Sequence, residues 1–252
     1  MLHDAGAVLA STISERRITH KKSELSIVTA SDQKCEKLIF KILDRHFPDH
    51  AVLSEESPAR GISPYRWIID PLDGTTNFAH TFPVACVSIA FEANGIVEMG
   101  GVYDPFRKEL FFAERGRGAA LNGKKIKVSP TRTLRDSLLC TGFPYDRRKY
   151  VDKYLAAFKD FMMKVQGIRR VGAAALDLCN VACGRYDGYW ETKLQPWDKA
   201  AAGLIVREAG GRVSNFSGAP MTLTGFQNLA SNGRIHSEML AVLRRHRKLG
   251  TN

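Results

Sequence analysis

At residues 67–78 the chain reads Trp67-Ile68-Ile69-Asp70-Pro71-Leu72-Asp73-Gly74-Thr75-Thr76-Asn77-Phe78. The apolar residues at the start predict a short buried strand that ends at Asp70, where Pro71 is expected to stop it. A second carboxylate, Asp73, follows three residues later, and Gly74 is expected to open a short helix. The sequence therefore predicts two carboxylates and a helix N-terminus at one place in the fold.

These carboxylates have two interpretations. An isolated Asp73 would be a helix cap and an isolated Asp70 a turn residue. Two carboxylates ~4 Å apart, however, repel each other by roughly 4 kcal/mol at an effective dielectric constant of 20. A helix N-terminus stabilises a nearby negative charge by only about 0.3 to 1 kcal/mol. A cluster therefore requires a cation or a proton. Oxygen donors favour Mg²⁺ over Zn²⁺, and the backbone N–H groups of Gly74, Thr75 and Thr76 suit a phosphate.

The rest of the chain predicts helices that alternate with mostly antiparallel strands. Helices are predicted at 4–17, 31–47, about 149–163, 173–183, 197–209 and 235–247, and short strands at 51–53, 67–69, near 168 and at 186–191. Ser31 or Asp32 is expected to cap the second helix. Apolar runs from Val84 to Val128, separated by turn signals such as Asn94-Gly95, predict an antiparallel meander. This pattern indicates a layered α+β fold.

The composition limits the function classes. The chain has 252 residues and a formal charge of +11, with 44% hydrophobic and 25% charged residues, which is typical of a globular protein. Its longest apolar stretch, Ala200–Val206, is far below the ~20 residues of a membrane helix, so no membrane insertion is expected. The first ten residues lack the basic region of a secretory signal, and the five cysteines form no CxxC pair. We therefore expect a cytoplasmic protein.

Three separated motifs resemble the inositol monophosphatase family. They are residues 70–78, Ser54-Glu55-Glu56-Ser57, and Trp197-Asp198-Lys199-Ala200-Ala201-Ala202-Gly203 followed by Glu208-Ala209-Gly210-Gly211. The resemblance extends from Ala5 to Arg234. It implies a layered αβαβα sandwich of the sugar phosphatase type, formed by residues 1–252 as a single domain with sublobes of about 1–135 and 136–252. It also implies a Mg²⁺-dependent, lithium-sensitive phosphoric monoester hydrolase.

The resemblance also implies a set of metal ligands. Glu55, Asp70 and the backbone carbonyl of Leu72 would hold one Mg²⁺, while Asp70, Asp73 and Asp198 would hold a second. Two such ions sit about 3.5 to 4 Å apart in two-metal phosphatases. Taken alone, Asp198 would more often be an ordinary helix cap.

Catalytic and substrate-binding residues follow from the same resemblance. Asp32 and Thr75 would form a hydrogen-bonded pair that orients the attacking water, with Glu55 at a third, weaker Mg²⁺, and Gly74 and Thr75 would bind the phosphate. Asp73 and Glu191 would accept hydrogen bonds from sugar hydroxyls, and the backbone at Ala174 would contact the substrate. Arg170 and Lys193 are basic residues near this rim, and they either favour a substrate with a second phosphate or are solvated surface charges.

Several alternatives stay open at this point. Inositol monophosphate is the expected substrate. Fructose 1,6-bisphosphate, histidinol phosphate and 3′-phosphoadenosine 5′-phosphate stay open as alternatives, because phosphatases with a related fold hydrolyse them. Residues 118–125 nearly match a nucleotide-binding P-loop, but Lys125 replaces the required Ser or Thr, and Asn122-Gly123 predicts a hairpin turn instead.

The partners are a small phosphate monoester and, by the resemblance, a second copy of the chain in a homodimer. A different class of function is nucleic-acid binding. The run Arg244-Arg245-His246-Arg247-Lys248 in the last predicted helix, together with the charge of +11, would suit RNA, although no aromatic RNA-binding motif accompanies it. Positive charge would equally attract anionic substrates.

Overall fold

The computed structural model describes residues 1–15, 18–21, 27–246 and 248–250. In this part of the chain the helices are α1 (Leu2–Thr12), α2 (Ala30–His46), α3 (Thr75–Ala79), α4 (Arg147–Met162), α5 (Ala174–Ala182), α6 (Pro196–Glu208) and α7 (His236–Leu243). The strands are β1 (Ile18–Lys21), β2 (Ile27–Thr29), β3 (Ala51–Ser54), β4 (Tyr65–Asp73), β5 (Cys86–Ala93), β6 (Ile96–Asp104), β7 (Glu109–Glu114), β8 (Gly118–Leu121), β9 (Lys124–Lys125), β10 (Leu138–Thr141), β11 (Gly167–Arg169), β12 (Gly188–Thr192), β13 (Arg212–Ser214) and β14 (Gln227–Ser231).

The larger sheet contains the predicted meander. Its strand order is β3-β4-β5-β6-β7-β8-β9, and every pair is antiparallel except β3 with β4. Its hairpins turn at Asn94-Gly95 and Asn122-Gly123, where all four residues have positive φ. Asparagine and glycine tolerate that conformation best, so these dipeptides favour tight two-residue turns. The meander is confirmed.

A smaller sheet has the order β11-β10-β12-β14-β13 and mixes parallel and antiparallel pairs. Helices α5 and α6 lie between the two sheets, because their apolar residues share one core with both, for example Ala201 with Val102 of β6 and Tyr189 of β12. The outer helices complete the layers, with α1 and α2 packed on the larger sheet and α4 and α7 on the smaller one. This arrangement confirms the layered αβαβα sandwich.

Helix α6 sits unusually close to the larger sheet. A Cβ added at Gly100 of β6 would lie 2.7 Å from Cα of Ala201 and 2.8 Å from its carbonyl oxygen. Two small residues therefore face each other and bring the two backbones together. This contact fixes the position of the helix whose first turn contains Asp198.

The expectation that Pro71 stops its strand was wrong. Strand β4 continues to Asp73, and its pairing with β5 shifts between Asp70, which faces Ser88, and Asp73, which faces Cys86. The bulge places one more residue on β4 than on β5, so a proline without an N–H group is accommodated there. Both carboxylates therefore belong to one strand.

Two predicted helix ends also differ from the structure. Thr29 caps α2, whereas Asp32 occupies the third helical position and accepts a hydrogen bond from the Thr29 backbone N–H at 2.8 Å. The expected cap at Ser31 or Asp32 was therefore wrong, because a capping box starts the helix earlier. The last α-helix ends at Leu243, so the basic run forms a 3-10 turn, Arg244–His246, instead of continuing it. Arg17 and Arg247, two predicted helix ends, lie outside the described residues.

None of the described helices combines the length and the apolar character that crossing a bilayer requires.

The close contact between β6 and α6 can be tested by substitution. Gly100→Ala forces a methyl group against the Ala201 backbone, which cannot rotate away as a side chain would. We expect the free energy of unfolding to fall by about 1 to 3 kcal/mol, measured by urea denaturation. Gly167→Ala is the matched control, since a Cβ there meets its neighbours at an ordinary 3.4 Å. Equal effects of the two substitutions would contradict the tight contact.

Candidate active site

One cavity of about 500 Å³ lies where the carboxyl end of β4, the short helix α3, the start of α6 and the end of β12 meet. Its wall contains most of the residues singled out in the sequence. These are Glu55, Asp70, Leu72, Asp73, Gly74, Thr75, Arg170, Ala174, Glu191 and Asp198. Acidic residues from three distant motifs therefore line one space.

Different elements deliver the four carboxylates. Glu55 follows β3, and its backbone N–H donates to the Ile69 carbonyl of β4 at 3.2 Å, which ties the two chain segments together. Asp70 and Asp73 flank the bulge of β4. Asp198 lies in the first turn of α6, where Oδ2 accepts a hydrogen bond from the Gln195 backbone N–H at 2.7 Å. Asp198 is thus a capping residue and a cavity residue at once.

The carboxyl groups destabilise one another's charged forms. Asp70 is only 1% exposed, and burial raises its pKa well above the ordinary value, with further increases from the negative charges of Glu55, Asp73 and Asp198. Burial and the charges of Asp73 and Glu55 likewise raise the pKa of Asp198. Burial raises the pKa of Asp73 to about 6, although hydrogen bonds from the backbone of α5 oppose the rise. A cation in the cavity would relieve this repulsion.

Asp73 caps a helix other than the one expected. Gly74 is the N-cap residue of α3, and no side chain caps this helix, whereas the Ala175 backbone N–H at the start of α5 donates to Asp73 Oδ2 at 2.7 Å. The Cys86 thiol also approaches this oxygen at 3.7 Å. Neither contact was predicted. One sequence feature could have indicated that a distant side chain caps α5: this helix starts with alanines instead of a capping Ser, Thr, Asp or Asn.

Gly74 and Thr75 form the turn into α3. Gly74 has φ of +90°, and a Cβ there would lie 2.8 Å from the Val84 carbonyl oxygen, so the close approach of the two segments requires glycine. The Thr75 hydroxyl donates to the Leu72 carbonyl at 2.9 Å and lies 3.4 Å from Asp32 Oδ1. The single hydroxyl proton therefore favours Leu72, and the expected Thr75–Asp32 pair is long here.

Asp32 lies behind the cavity rather than in its wall. It is fully buried and accepts hydrogen bonds from both the backbone N–H and the hydroxyl of Thr29, at 2.8 and 2.5 Å. Burial raises its pKa to about 6 despite these hydrogen bonds, and the charge of Glu55 adds to the rise. Asp32 reaches the cavity through Thr75.

Glu191 faces the carboxylate cluster from β12. The hydroxyl of the fully buried Tyr189 donates to Glu191 Oε2 in a very short hydrogen bond. A Cβ at Gly142 would overlap the Glu191 carboxyl group, so glycine makes room for it. Burial raises the pKa of Glu191 to about 7, and the charge of Arg170 moderates the rise. Tyr189 and Gly142 are further site residues that the sequence did not indicate.

The oxygen donors fit a hard divalent cation. The cavity wall contains six acidic residues, Glu55, Asp70, Asp73, Asp146, Glu191 and Asp198, together with Leu72, and it contains no histidine or cysteine. The side chains are nevertheless not assembled around one point. Among the described residues, no three His, Cys, Asp or Glu side chains are grouped closely enough to hold an ion. The chemistry of the donors nevertheless fits Mg²⁺.

Comparison with known proteins agrees with these motifs. The profile described as the inositol monophosphatase family matches residues 1–248. The chain belongs to the inositol monophosphatase family.

Similar proteins carry different names, some of an inositol monophosphatase and others of SuhB. An inositol-1-monophosphatase from Synechocystis sp. is 49% identical over 230 residues, which are 90% of this chain and 80% of the relative. A putative Nus factor SuhB from Neisseria meningitidis is 43% identical over 230 residues, which are 90% of this chain and 88% of that protein. The crystal structure of the extragenic suppressor protein suhB from Bartonella henselae superposes with a TM-score of 0.93 at 40% identity and covers 97% of this chain and 95% of that chain.

Removal of one buried carboxylate tests the electrostatic arrangement without any assay of activity. Without divalent cations at pH 8, we expect Asp70→Asn to raise the free energy of unfolding by on the order of 1 kcal/mol, because it removes repulsion in the folded state. A raised folded-state pKa means that the wild type loses stability as the pH rises through that pKa. The gain should therefore be smaller at pH 5. Added Mg²⁺ should stabilise the wild type but not the variant.

Chemical denaturation monitored by tryptophan fluorescence measures these values. Asp49→Asn removes an exposed carboxylate and serves as the control. A loss of stability in Asp70→Asn at pH 8 would contradict the repulsive cluster.

Proposed function

We propose that the protein is a Mg²⁺-dependent phosphate monoester hydrolase that acts on inositol monophosphate. The observation that carries the proposal is the cavity whose wall contains Glu55, Asp70, Asp73 and Asp198 beside the turn at Gly74. A carboxylate wall and free backbone N–H groups at one place suit a divalent cation and a phosphoryl group together. Membership in the inositol monophosphatase family and the Synechocystis relative support the choice of reaction.

Glu55, Asp70, Asp73, Asp198 and the carbonyl of Leu72 would hold the metal. When bound, Mg²⁺ supplies positive charge that neutralises the phosphoryl oxygens and makes the attacking water more acidic. The backbone N–H groups of Gly74 and Thr75 bind the phosphate in this proposal.

The remaining residues orient the reactants. Water attacks phosphorus, a new P–O bond forms and the bond to the leaving oxygen breaks. The leaving oxygen takes a proton from solvent water, which yields inorganic phosphate and the alcohol. Thr75 orients the water and passes its proton to Asp32 when the Thr75 hydroxyl turns from the Leu72 carbonyl towards Asp32 Oδ1, which lies 3.4 Å away. Since burial raises the pKa of Asp32 to about 6, its carboxylate is ionised at neutral pH yet basic enough to accept a proton.

Contacts to the leaving alcohol decide the substrate. Glu191, held by Tyr189, and Asp73 accept hydrogen bonds from hydroxyl groups, while the backbone at Ala174 and the side chain of Arg170 lie along the same rim. Acceptors of this kind suit a polyol. Fructose 1,6-bisphosphate, histidinol phosphate and 3′-phosphoadenosine 5′-phosphate remain the alternative substrates.

A phosphate-release assay with myo-inositol 1-phosphate and the three alternatives tests the proposal. We expect Mg²⁺-dependent turnover that EDTA abolishes. Asp70→Asn should lower kcat/KM about a thousandfold or more, because charge neutralisation by a metal contributes several kcal/mol to the transition state. Its far-UV circular dichroism should match the wild type, and Asp49→Asn should retain full activity. Undiminished turnover by Asp70→Asn would refute the proposed role of this residue.

A nucleic-acid-binding role is the second candidate. It is favoured by the name of the Neisseria relative, a putative Nus factor, and by the formal charge of +11. The basic segment is partly engaged within the protein, since Arg244 donates to the Ser217 carbonyl at 3.2 Å and His246 contacts Asp160 at 2.9 Å. Arg245 and Lys248 are exposed there.

RNA titrations at several salt concentrations test this second role. If the segment binds phosphates, Arg245→Gln/Lys248→Gln should weaken binding and reduce the slope of log affinity against log salt by about two, because each substitution removes one cation that pairs with a phosphate. Lys124→Gln/Lys125→Gln, with the same change of charge at the exposed strand β9, should leave the slope nearly unchanged. Equal slopes for all three proteins would exclude the basic segment as the binding site.

Three further expectations belong to the same proposal. The homodimer and the sensitivity to Li⁺ are carried over from the family resemblance. A cytoplasmic location is supported by the five cysteines, all of which are free in the structure.

A further inference from the structure

A group of basic side chains surrounds Tyr150 near the start of α4. The ammonium groups of Lys149, Lys153 and Lys193 lie 5.2, 5.0 and 5.3 Å from the centre of the Tyr150 ring. Any two of these ammonium groups are therefore at most about 10.5 Å apart, which is close to one Debye length at 0.1 M salt. We call Tyr150 and these three lysines the lysine cluster.

The backbone departs from regular geometry at two residues of the cluster, Tyr150 and Lys193. Helix α4 is interrupted at Tyr150 itself, where φ is −128° and ψ is 25°. Lys193 has φ of +63°, a conformation that residues other than glycine rarely adopt, and its backbone N–H donates to the Phe226 carbonyl at 2.6 Å. A positive φ at a residue other than glycine, as at Lys193, is often retained at binding sites.

The charges of the cluster are only partly balanced. Lys193 pairs with Asp146 at 2.5 Å, and the Tyr154 hydroxyl holds the other oxygen of Asp146 at 3.0 Å. Lys149 and Lys153 are exposed, and the ring of Tyr150 stabilises them only weakly at such sites. Three like charges within one Debye length repel one another, so an anion seated among them would bind favourably.

The lysine cluster adjoins the proposed catalytic cavity through Lys193, while Tyr150 and Lys153 line a small neighbouring pocket together with Lys193. Asp146, Arg147 and Lys193 lie in the cavity wall, on the side where Glu191 faces the proposed leaving alcohol. Lys193 therefore belongs to both. In the proposed complex the reacting phosphate lies beside Gly74 and the alcohol portion lies at Glu191, and Lys193 lies two residues beyond Glu191 in the same cavity wall.

We propose that the lysine cluster is a second phosphate subsite, so that, among phosphate esters of one alcohol, the protein prefers the ester whose alcohol portion carries another phosphoryl group. This inference rests on the proposed function, because it names the substrate class of the same site. Lys149, Lys153 and Lys193 bind the phosphate that is not cleaved. The Asp146 contact holds Lys193 in position.

Fructose 1-phosphate and fructose 1,6-bisphosphate form a matched pair of probes, since they differ only in the second phosphate. We measure kcat/KM for both with the Mg²⁺-loaded wild type and with Lys149→Gln/Lys153→Gln. The ratio of bisphosphate to monophosphate should exceed one in the wild type and fall about tenfold in the variant, mainly through KM. It should also fall as the salt concentration rises.

Lys159→Gln/Lys164→Gln is the control, because it removes the same charge from exposed positions at the other end of α4 and just beyond it. Its ratio should equal that of the wild type, which separates a local subsite from general attraction of anions. Turnover of fructose 1-phosphate with the same ratio in all three proteins would overturn the subsite alone. Failure of the wild type to hydrolyse any phosphate monoester would overturn the proposed function and the subsite together.

Discussion

Repulsion between buried carboxylates is the constraint around which this structure is arranged. Asp70 is almost completely buried, yet Glu55, Asp73 and Asp198 all act on it with negative charge. Burying acidic side chains at this position contributes no hydrophobic stabilisation. Backbone N–H groups hold three of these side chains in place, since Leu72 donates to Asp70, Ala175 to Asp73 and Gln195 to Asp198. The cavity is therefore arranged to receive positive charge.

The layers of the fold bring these carboxylates together. Asp70 and Asp73 come from the larger sheet, Asp198 from α6 between the sheets, and Glu191 from the smaller sheet. The cavity therefore lies across all the inner layers, and its shape depends on how the two sheets pack. The hydrogen bond from Ala175 to Asp73 adds a direct link between the larger sheet and α5.

The fold could be predicted well from the sequence, because local signals were strong. The turns at Asn94-Gly95 and Asn122-Gly123 fixed the hairpins, and the family motifs indicated the layers. The path of the chain through Pro71 could not be predicted, because a bulge depends on pairing with a partner strand rather than on the proline alone. The cap of α2 was misplaced by a few residues for a similar reason, since a capping box uses two residues jointly.

The site was predictable only in part. Acidic residues beside helix starts gave a visible pattern, whereas Tyr189, Gly142 and Ala175 act through distant contacts that leave no local signature. The roles of the acidic residues stay predictions until they are measured.

The seat of α6 on β6 bears on how ligands enter and leave. With the backbones of Gly100 and Ala201 already touching, the helix has no room to slide or tilt inwards, and Asp198 is carried by it as a rigid wall. Any widening of the cavity would then have to involve other parts of its wall, such as residues 142–146, which connect β10 to α4.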